Sequence, residues 1–168
     1  MTDPIVNKVK QNTKLVNFDL EKLYPEIEIL ELDLKPYLFQ ELILKEKDFR
    51  DHLEKHDWDQ YKGKVLAAYC SSDAIIPPWA YMLVSSKAEE SSNEIFIGNK
   101  KEALVALYKR NLDELDWENY RDKFVMIKGC SDKDVPDEVY AYTTSKLIHS
   151  ASKIMYGEAC SNVPIWRR

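Results

Sequence analysis

Asp57-Trp58-x-x-Tyr61-x-x-Lys64 recurs 59 residues later as Asp116-Trp117-x-x-Tyr120-x-x-Lys123. The same offset aligns residues 57–99 with residues 116–158 without a gap, and the aligned stretches share 13 identities in 43 positions. Repetition over this length indicates that one structural unit occurs twice in the chain, so it constrains the architecture before any local pattern is considered.

Each copy is predicted to form a strand, a helix and a second strand. The first strands are the continuous apolar runs Val65–Tyr69 and Phe124–Ile127, which are typical of strands covered on both faces. The second strands, Ile95–Ile97 and Ile154–Tyr156, are each followed by a glycine. Strands that alternate with helices favour an α/β fold, with a mostly parallel sheet, flanking helices and the internal pseudo-repeat.

The rest of the chain is expected to add an arm and further elements of the same domain. Residues 1–26 are predicted to be an N-terminal arm with a helical turn at Leu20–Leu23, and residues 27–168 a single α/β domain that contains both copies. Pro77 and Pro136 suit the first turns of the helices that follow them, where the missing N–H is not needed.

Three further elements are predicted outside the copies. Ile27–Leu34 nearly alternates apolar and charged residues, which indicates a half-buried edge strand with a bulge or bend between Ile29 and Leu30. Apolar residues at helical spacing predict a helix from Pro36 to about His56. The same spacing predicts a helix over Lys100–Leu115, between the two copies.

Composition narrows the class of protein. With 45% hydrophobic and 32% charged residues, the 168-residue chain has enough apolar mass for a folded core. A net charge of −5 argues against a general nucleic-acid or anionic-membrane binder, and no apolar run is long enough to span a bilayer. The first residues lack the apolar core of a secretory signal, and the three cysteines are an odd number, so a reducing cytoplasm is expected.

The cysteines are the strongest chemical lead. Cys70, Cys130 and Cys160 each precede a serine and follow a predicted strand, so all three are expected at the carboxyl edge of the sheet, where α/β proteins bind ligands. In a flavodoxin-like order, the strands before Cys70 and Cys130 would be neighbours. The gapless alignment places Cys70 opposite Gly129, so the repeat itself does not make these cysteines equivalent.

Three convergent thiolates predict a metal site. An iron–sulfur cluster is favoured over zinc, with Cys70, Cys130 and Cys160 as ligands. Ser71, Ser131 and Ser161 would tune the sulfur atoms by hydrogen bonding. The candidates for a fourth ligand are His52, His56 and His149, of which His149 is the poorest because it lies near the far end of its predicted helix.

Other functions stay open at this point, and so does the question whether the protein is an enzyme. One cysteine could be the nucleophile of a thiol-dependent enzyme or a sulfur acceptor, although no general base is evident. The chain could instead bind a small anionic ligand at twin loops, with structural cysteines and the tail Pro164–Arg168 folded over the site. The twin loops contain Ser72 with Asp73, and Ser131 with Asp132.

Four segments resemble a bacterial family, the domain of unknown function numbered 2480. They are Phe39–Arg50, Asp73–Met82, Ile127–Ser131 and Met155–Ser161, and the resemblance extends over nearly the whole chain. It implies no established activity. Genes of this family often lie near iron–sulfur assembly genes. The resemblance therefore implies a cluster as cofactor and iron–sulfur assembly proteins as partners.

Overall fold

The computed structural model describes residues 14–128, 132–158 and 161–168. The chain divides into two compact units: a central unit, Glu26–Ala106, and a terminal unit made of residues up to Pro25 and from Leu107 onward. The helices are α1 (Glu46–Lys55), α2 (Pro78–Ala88), α3 (Lys100–Asp113) and α4 (Asp137–Leu147). The strands are β1 (Leu15–Asp19), β2 (Ile29–Asp33), β3 (Val65–Tyr69), β4 (Glu94–Ile97), β5 (Phe124–Lys128), β6 (Lys153–Glu158) and β7 (Ser161–Arg167).

The central unit contains a parallel sheet with the strand order β2-β3-β4. Its middle strand, β3, is apolar without interruption, and Val65, Leu66, Ala67 and Ala68 are all fully buried. One face of the sheet packs in a single core with residues of α1 and α2, including Phe49. Continuous apolarity in β3 therefore reflects a strand that is covered on both faces.

The terminal unit contains a four-stranded sheet with the order β1-β5-β6-β7. β1, β5 and β6 are parallel, whereas β7 turns back and pairs antiparallel with β6. The middle of the sheet is apolar, since Val125 and Ile154 are fully buried. The α/β prediction, with mostly parallel strands and flanking helices, is confirmed.

The elements of the two units occur at the spacing that the sequence repeat predicts. β3 and β5 begin 59 residues apart, and so do α2 and α4. The indole N–H of Trp58 donates to the Leu53 carbonyl at 2.9 Å, and that of Trp117 donates to the Leu112 carbonyl at 3.1 Å. The repeated tryptophans thus connect the segments that lead into β3 and β5 to the ends of the preceding helices, α1 and α3.

The long helix predicted from Pro36 to about His56 is wrong. A 3-10 turn at Lys35–Tyr37 is followed by a tight hairpin, in which Phe39 bridges Ile43, before α1 begins at Glu46. Gln40 and Glu41 have φ angles of 51° and 58°, a left-handed conformation that interrupts any α-helix. Only the second half of the apolar pattern is therefore helical.

The bulge or bend predicted between Ile29 and Leu30 is also wrong. β2 begins at Ile29 and pairs with β3 in an unbroken register, at the edge of its sheet as predicted. Leu30 and Leu32 contact the core shared with α1 and α2, while Ile29 is buried on the other face. Because apolar residues are accommodated on both faces, the strand does not need to slip.

Both ends of the chain contribute strands that were not predicted. The turn at Leu20–Leu23 is confirmed as a 3-10 helix, but β1 precedes it within the predicted arm. The tail predicted to fold over a site is mostly β7, hydrogen-bonded along β6. Beside this division into two compact units, the arm over residues 1–26 and the single domain over residues 27–168 stay predictions.

The expectation of one sheet with neighbouring cysteine strands is not met. β3, which precedes Cys70, pairs with β2 and β4, whereas β5, which precedes Cys130, pairs with β1 and β6. The apolar patterns of β3 and β5 are alike, so they carry no information on which strands pair.

None of the described helices combines the length and apolarity that a bilayer crossing needs.

Candidate functional site

The carboxyl edge of the terminal sheet brings together the strands that lead to two cysteines. β5 and β6 are adjacent and parallel, and Ile127 is the register partner of Tyr156. The two strands end at Lys128 and Glu158. Cys130 and Cys160 each follow one of these strand ends by two positions in the sequence, and both lie outside the described residues.

A pocket of about 330 Å³ opens at this edge. The Tyr140 and Tyr156 rings meet nearly edge to face in its wall, with centroids 5.8 Å apart. Its position, between the first turns of α4 and the ends of β5 and β6, is the place where α/β proteins commonly bind ligands. The lining residues are Ile127, Asp137, Tyr140, Ala141, Thr144, Tyr156 and Ile165.

Asp132 and Ser161 lie in the terminal unit, on the chain segments that flank this edge. The backbone N–H of Asp132 donates to the Glu21 carboxylate at 3.1 Å, which ties the loop after β5 to the turn after β1. Ser161 begins β7, where it is the register partner of Glu158. Ser131, the third residue that was predicted here, lies outside the described residues.

Cys70 lies in the central unit, directly after β3. Its side chain is half-buried and packs against the apolar core. The thiol donates a long hydrogen bond to Ser72 Oγ, at 3.8 Å. Tyr81 is close enough that Cys70 contributes, after burial, to raising the pKa of the tyrosine.

Ser71 and Asp33 join the loop after β3 to the end of β2. The Ser71 backbone N–H and hydroxyl donate to the Asp33 carboxylate at 3.0 and 2.5 Å, and the Lys35 N–H donates to it at 2.9 Å. Burial acts to raise the pKa of Asp33, but the hydrogen bonds from Ser71 and Lys35 outweigh it and lower the pKa below its ordinary value. The hydroxyl that contacts the Cys70 sulfur is that of Ser72, and Asp73 is exposed.

The histidines proposed as fourth ligands have other surroundings. His56 is hydrogen-bonded through Nδ1 to Tyr37 Oη at 3.3 Å and through Nε2 to Tyr61 Oη at 3.1 Å. The His52 ring lies 5.4 Å from the ring of Tyr37. His149 is exposed beyond the last turn of α4, at the end of that helix remote from the pocket, as predicted.

Burial perturbs the titration of this histidine–tyrosine cluster. It lowers the pKa of His56 below its ordinary value, against a smaller opposing effect of Asp57. Burial, with smaller contributions from Tyr37 and Asp57, raises the pKa of Tyr61 to about 12. A neutral imidazole offers one donor and one acceptor, so one tyrosine donates to the ring and the other accepts from it.

Residues 14–128, 132–158 and 161–168 contain no group of three or more His, Cys, Asp or Glu side chains arranged to hold a metal ion. Sequence reasoning also missed Asp33, the pocket tyrosines and the His56 cluster. The identity of Tyr81 with Tyr140 in the repeat was a signal for one pocket residue, since both stand on the first turn of the helix after the cysteine loop. No comparable signal marked Asp33 or Tyr37.

These features define an α/β protein of two units, each with a mostly parallel sheet, and a pocket at the edge where β5 and β6 end, two positions before Cys130 and Cys160 in the sequence. The chain belongs to the family described as Protein of unknown function (DUF2480), which it matches over residues 3–168. No curated protein and no solved structure matches it.

Proposed function

We propose that the protein binds a metal through its cysteines, as an iron–sulfur cluster in preference to zinc. The observation that supports this is the adjacency of β5 and β6, because Cys130 and Cys160 each follow the end of one of these neighbouring strands. Neighbouring strands lie about 4.8 Å apart, and two residues of chain reach at most about 7 Å. Two thiolates can therefore meet at one metal without any change in the sheet.

The described residues favour thiolate and sulfide ligands over a mixed zinc site. The one histidine of the terminal unit's described residues, His149, is beyond the far end of α4, and in the central unit His56 is already hydrogen-bonded to two tyrosines. Structural zinc sites complete four ligands, commonly from cysteine and histidine, whereas a cluster can leave one iron open. Cys70 stays the predicted third ligand and is tested separately, because its strand belongs to the other unit.

The experiment measures iron, zinc and acid-labile sulfide, together with the visible spectrum, in protein purified without oxygen. We expect iron and sulfide in the unaltered protein and their loss in the Cys130→Ala/Cys160→Ala double variant, while circular dichroism stays unchanged. Ser145→Ala is the control, since it changes an exposed residue of α4 that has no predicted role at the site and removes no thiol. Full metal content in the folded double variant would contradict the proposal.

Cys70→Ala decides the role of the third cysteine. Loss of metal in this variant would make Cys70 a ligand, whereas full metal content would restrict the ligands to Cys130 and Cys160. Zinc in place of iron and sulfide would keep the metal-binding function and reject the cluster.

The proposals on location and partners accompany this function. An odd number of cysteines with reduced thiols as ligands favours the cytoplasm. Partners that assemble iron–sulfur clusters are proposed from the family resemblance, with neither nucleic acid nor membrane as a partner. Transfer of a cluster from the reconstituted protein to an apo-ferredoxin would support an assembly role, and a cluster that never leaves the protein would argue against it.

A further inference from the structure

A second pocket of the terminal unit lies on one face of its sheet and includes Phe124 and Lys153, at the amino ends of β5 and β6. It has a volume of about 360 Å³, within the range of small-molecule sites. Its floor is apolar and consists of Leu15, Phe124, Met126 and Met155. Its polar groups come from Lys153, Asn162 and Arg167. We call this set of residues the amino-edge pocket.

The strand register places its two cations together. Lys153 of β6 is the register partner of Arg167 of β7, and residues directly opposite each other in an antiparallel pair project from the same face. Phe124 is the partner of Lys153 on the other side, so the aromatic floor adjoins the charged rim. Like charges in directly opposed positions destabilise a sheet unless something neutralises them.

Nothing in the described part of the chain neutralises this pair. Neither the Lys153 ammonium nor the Arg167 guanidinium has a hydrogen bond or an ion pair among residues 14–128, 132–158 and 161–168. The neighbouring Arg168, in contrast, contacts the Asp122 carboxylate at 3.5 Å and the His149 carbonyl at 3.2 Å. The central unit has Glu94 where the terminal unit has Lys153, so the paired cations are not a general requirement of this fold.

We infer that the amino-edge pocket binds a small organic anion that has a carboxylate head and an apolar body. The carboxylate would contact Lys153 and Arg167, because a guanidinium matches both oxygens of a carboxylate. The apolar body would lie against the half-buried Leu15 and Phe124 and reach the nearly buried Met126 and Met155, whose flexible thioether side chains adapt to varied shapes. Lys153 begins β6, whereas Cys130 and Cys160 follow the last residues of β5 and β6 in the sequence, and no cysteine takes part in the proposed binding, so the inference is independent of metal binding.

Octanoate is the probe, and methyl-labelled methionine is the reporter. The chain has four methionines, of which Met126 and Met155 line the pocket while Met82 is exposed in the central unit. Titration below the micelle-forming concentration should shift the NMR signals of Met126 and Met155 and leave that of Met82 in place. Octylamine, with the same tail and the opposite charge, and acetate, with the head alone, should each bind at least about tenfold more weakly.

Variants separate specific binding from adhesion to an apolar surface. Lys153→Gln/Arg167→Gln should weaken octanoate binding about tenfold or more, whereas Arg168→Gln, the matched control, should leave it within about twofold. Without ligand, Arg167→Gln should not lower the melting temperature, because it removes a like-charge opposition. Equal affinity for octanoate and octylamine, shifts that include Met82, or unchanged affinity in the folded double variant would each overturn the inference.

Discussion

Ser71 and Asp33 form the polar connection between the ends of β2 and β3, with the Ser71 hydroxyl 2.5 Å and its backbone N–H 3.0 Å from the Asp33 carboxylate. Within the central unit, these hydrogen bonds hold the start of the loop that contains Cys70 and Ser72. It also lowers the pKa of Asp33, because hydrogen bonds to the carboxylate outweigh the opposing effect of burial.

Replacing Ser71 with alanine should therefore destabilise the protein in a pH-dependent way. We expect Ser71→Ala to lower the free energy of unfolding by about 1 kcal/mol at pH 7, since one hydrogen bond to a partly exposed carboxylate is lost. The pKa of Asp33 is lowered from 3.8, so this contribution is present above that pH and disappears as the pH falls through the lower folded-state pKa. Urea unfolding of both proteins from pH 7 downward measures the difference.

Asp73→Asn provides a control for charge at the same loop. Asp73 is exposed, so its replacement should leave the free energy of unfolding nearly unchanged. The loss of unfolding free energy in Ser71→Ala could instead stay constant down to a pH at which all carboxylates are protonated. That result would show that the lost hydrogen bond to Asp33 does not cause the destabilisation.

Protonation of His56 should weaken the central unit. Burial lowers the pKa of His56 below 6.5, so the unfolded chain takes up a proton at a higher pH than the folded one. The stabilising effect of neutral His56 is complete above pH 6.5 and is lost as the pH falls from there to the lower folded-state pKa. We expect the free energy of unfolding, measured in urea, to decline over that window.

The repeat supplies an apolar replacement for this histidine. Leu115 has the position in the terminal unit that His56 has in the central unit, so His56→Leu should reduce the pH dependence in that window. His149→Gln, which changes an exposed histidine, is the control and should retain it. If both variants retain the full decline, another group is responsible.

The sequence predicted the parts of the fold that depend on local pattern. β3 and β5 were found because uninterrupted apolar residues occur in strands covered on both faces, and α2 and α4 because proline precedes each of them. The hairpin at Phe39–Ile43 was missed because Leu42 fits a helical spacing with Leu38 although it is exposed. Apolar residues on a surface give the same pattern as apolar residues in a core.

Local sequence patterns could not predict which strands pair. Asp33 and Ser71 are 38 residues apart, and nothing in either segment indicates that β2 and β3 are neighbours. The pocket at the carboxyl ends of β5 and β6 contains none of the predicted site residues in its described lining, and its wall includes Ile165 from β7, whose pairing with β6 was not foreseen. Topology determined which predicted strand ends could share a site.

Two tyrosines at matching positions of the repeat should differ in how much their hydroxyl groups contribute to the free energy of unfolding. Tyr61 Oη is hydrogen-bonded to His56 in a buried setting, whereas Tyr120 Oη has no hydrogen bond within the described part of the chain. Tyr61→Phe should lower the free energy of unfolding by about 1 kcal/mol, and Tyr120→Phe should change it little. Chemical unfolding at pH 7.5, where His56 is neutral, compares them.

A spectroscopic titration checks the same contrast. Because the pKa of Tyr61 is raised to about 12, Tyr61→Phe should remove a late step from the ultraviolet titration of tyrosine. Equal destabilisation by the two replacements would contradict a specific role for the bond to His56.

Thr143 offers a replacement that should stabilise the protein. Its side chain on α4 is fully buried, and Thr143 Oγ1 has no hydrogen-bond partner among the described residues. The matching position of α2 is Val84, which has a similar shape, is fully buried and carries no hydroxyl. Thr143→Val should therefore raise the free energy of unfolding by about 1 kcal/mol, because it removes a buried polar group that gains nothing in return.

Thr144→Val separates this effect from a general preference for valine in α4. Thr144 Oγ1 donates to the Tyr140 carbonyl at 2.9 Å, so its loss should not stabilise the protein. Urea unfolding under identical conditions compares the two variants with the unaltered chain. If Thr143→Val is as destabilising as Thr144→Val, the Thr143 hydroxyl must have a hydrogen-bond partner. The threonine would then differ from Val84 because it forms that hydrogen bond, and the idea of an unsatisfied hydroxyl would be wrong.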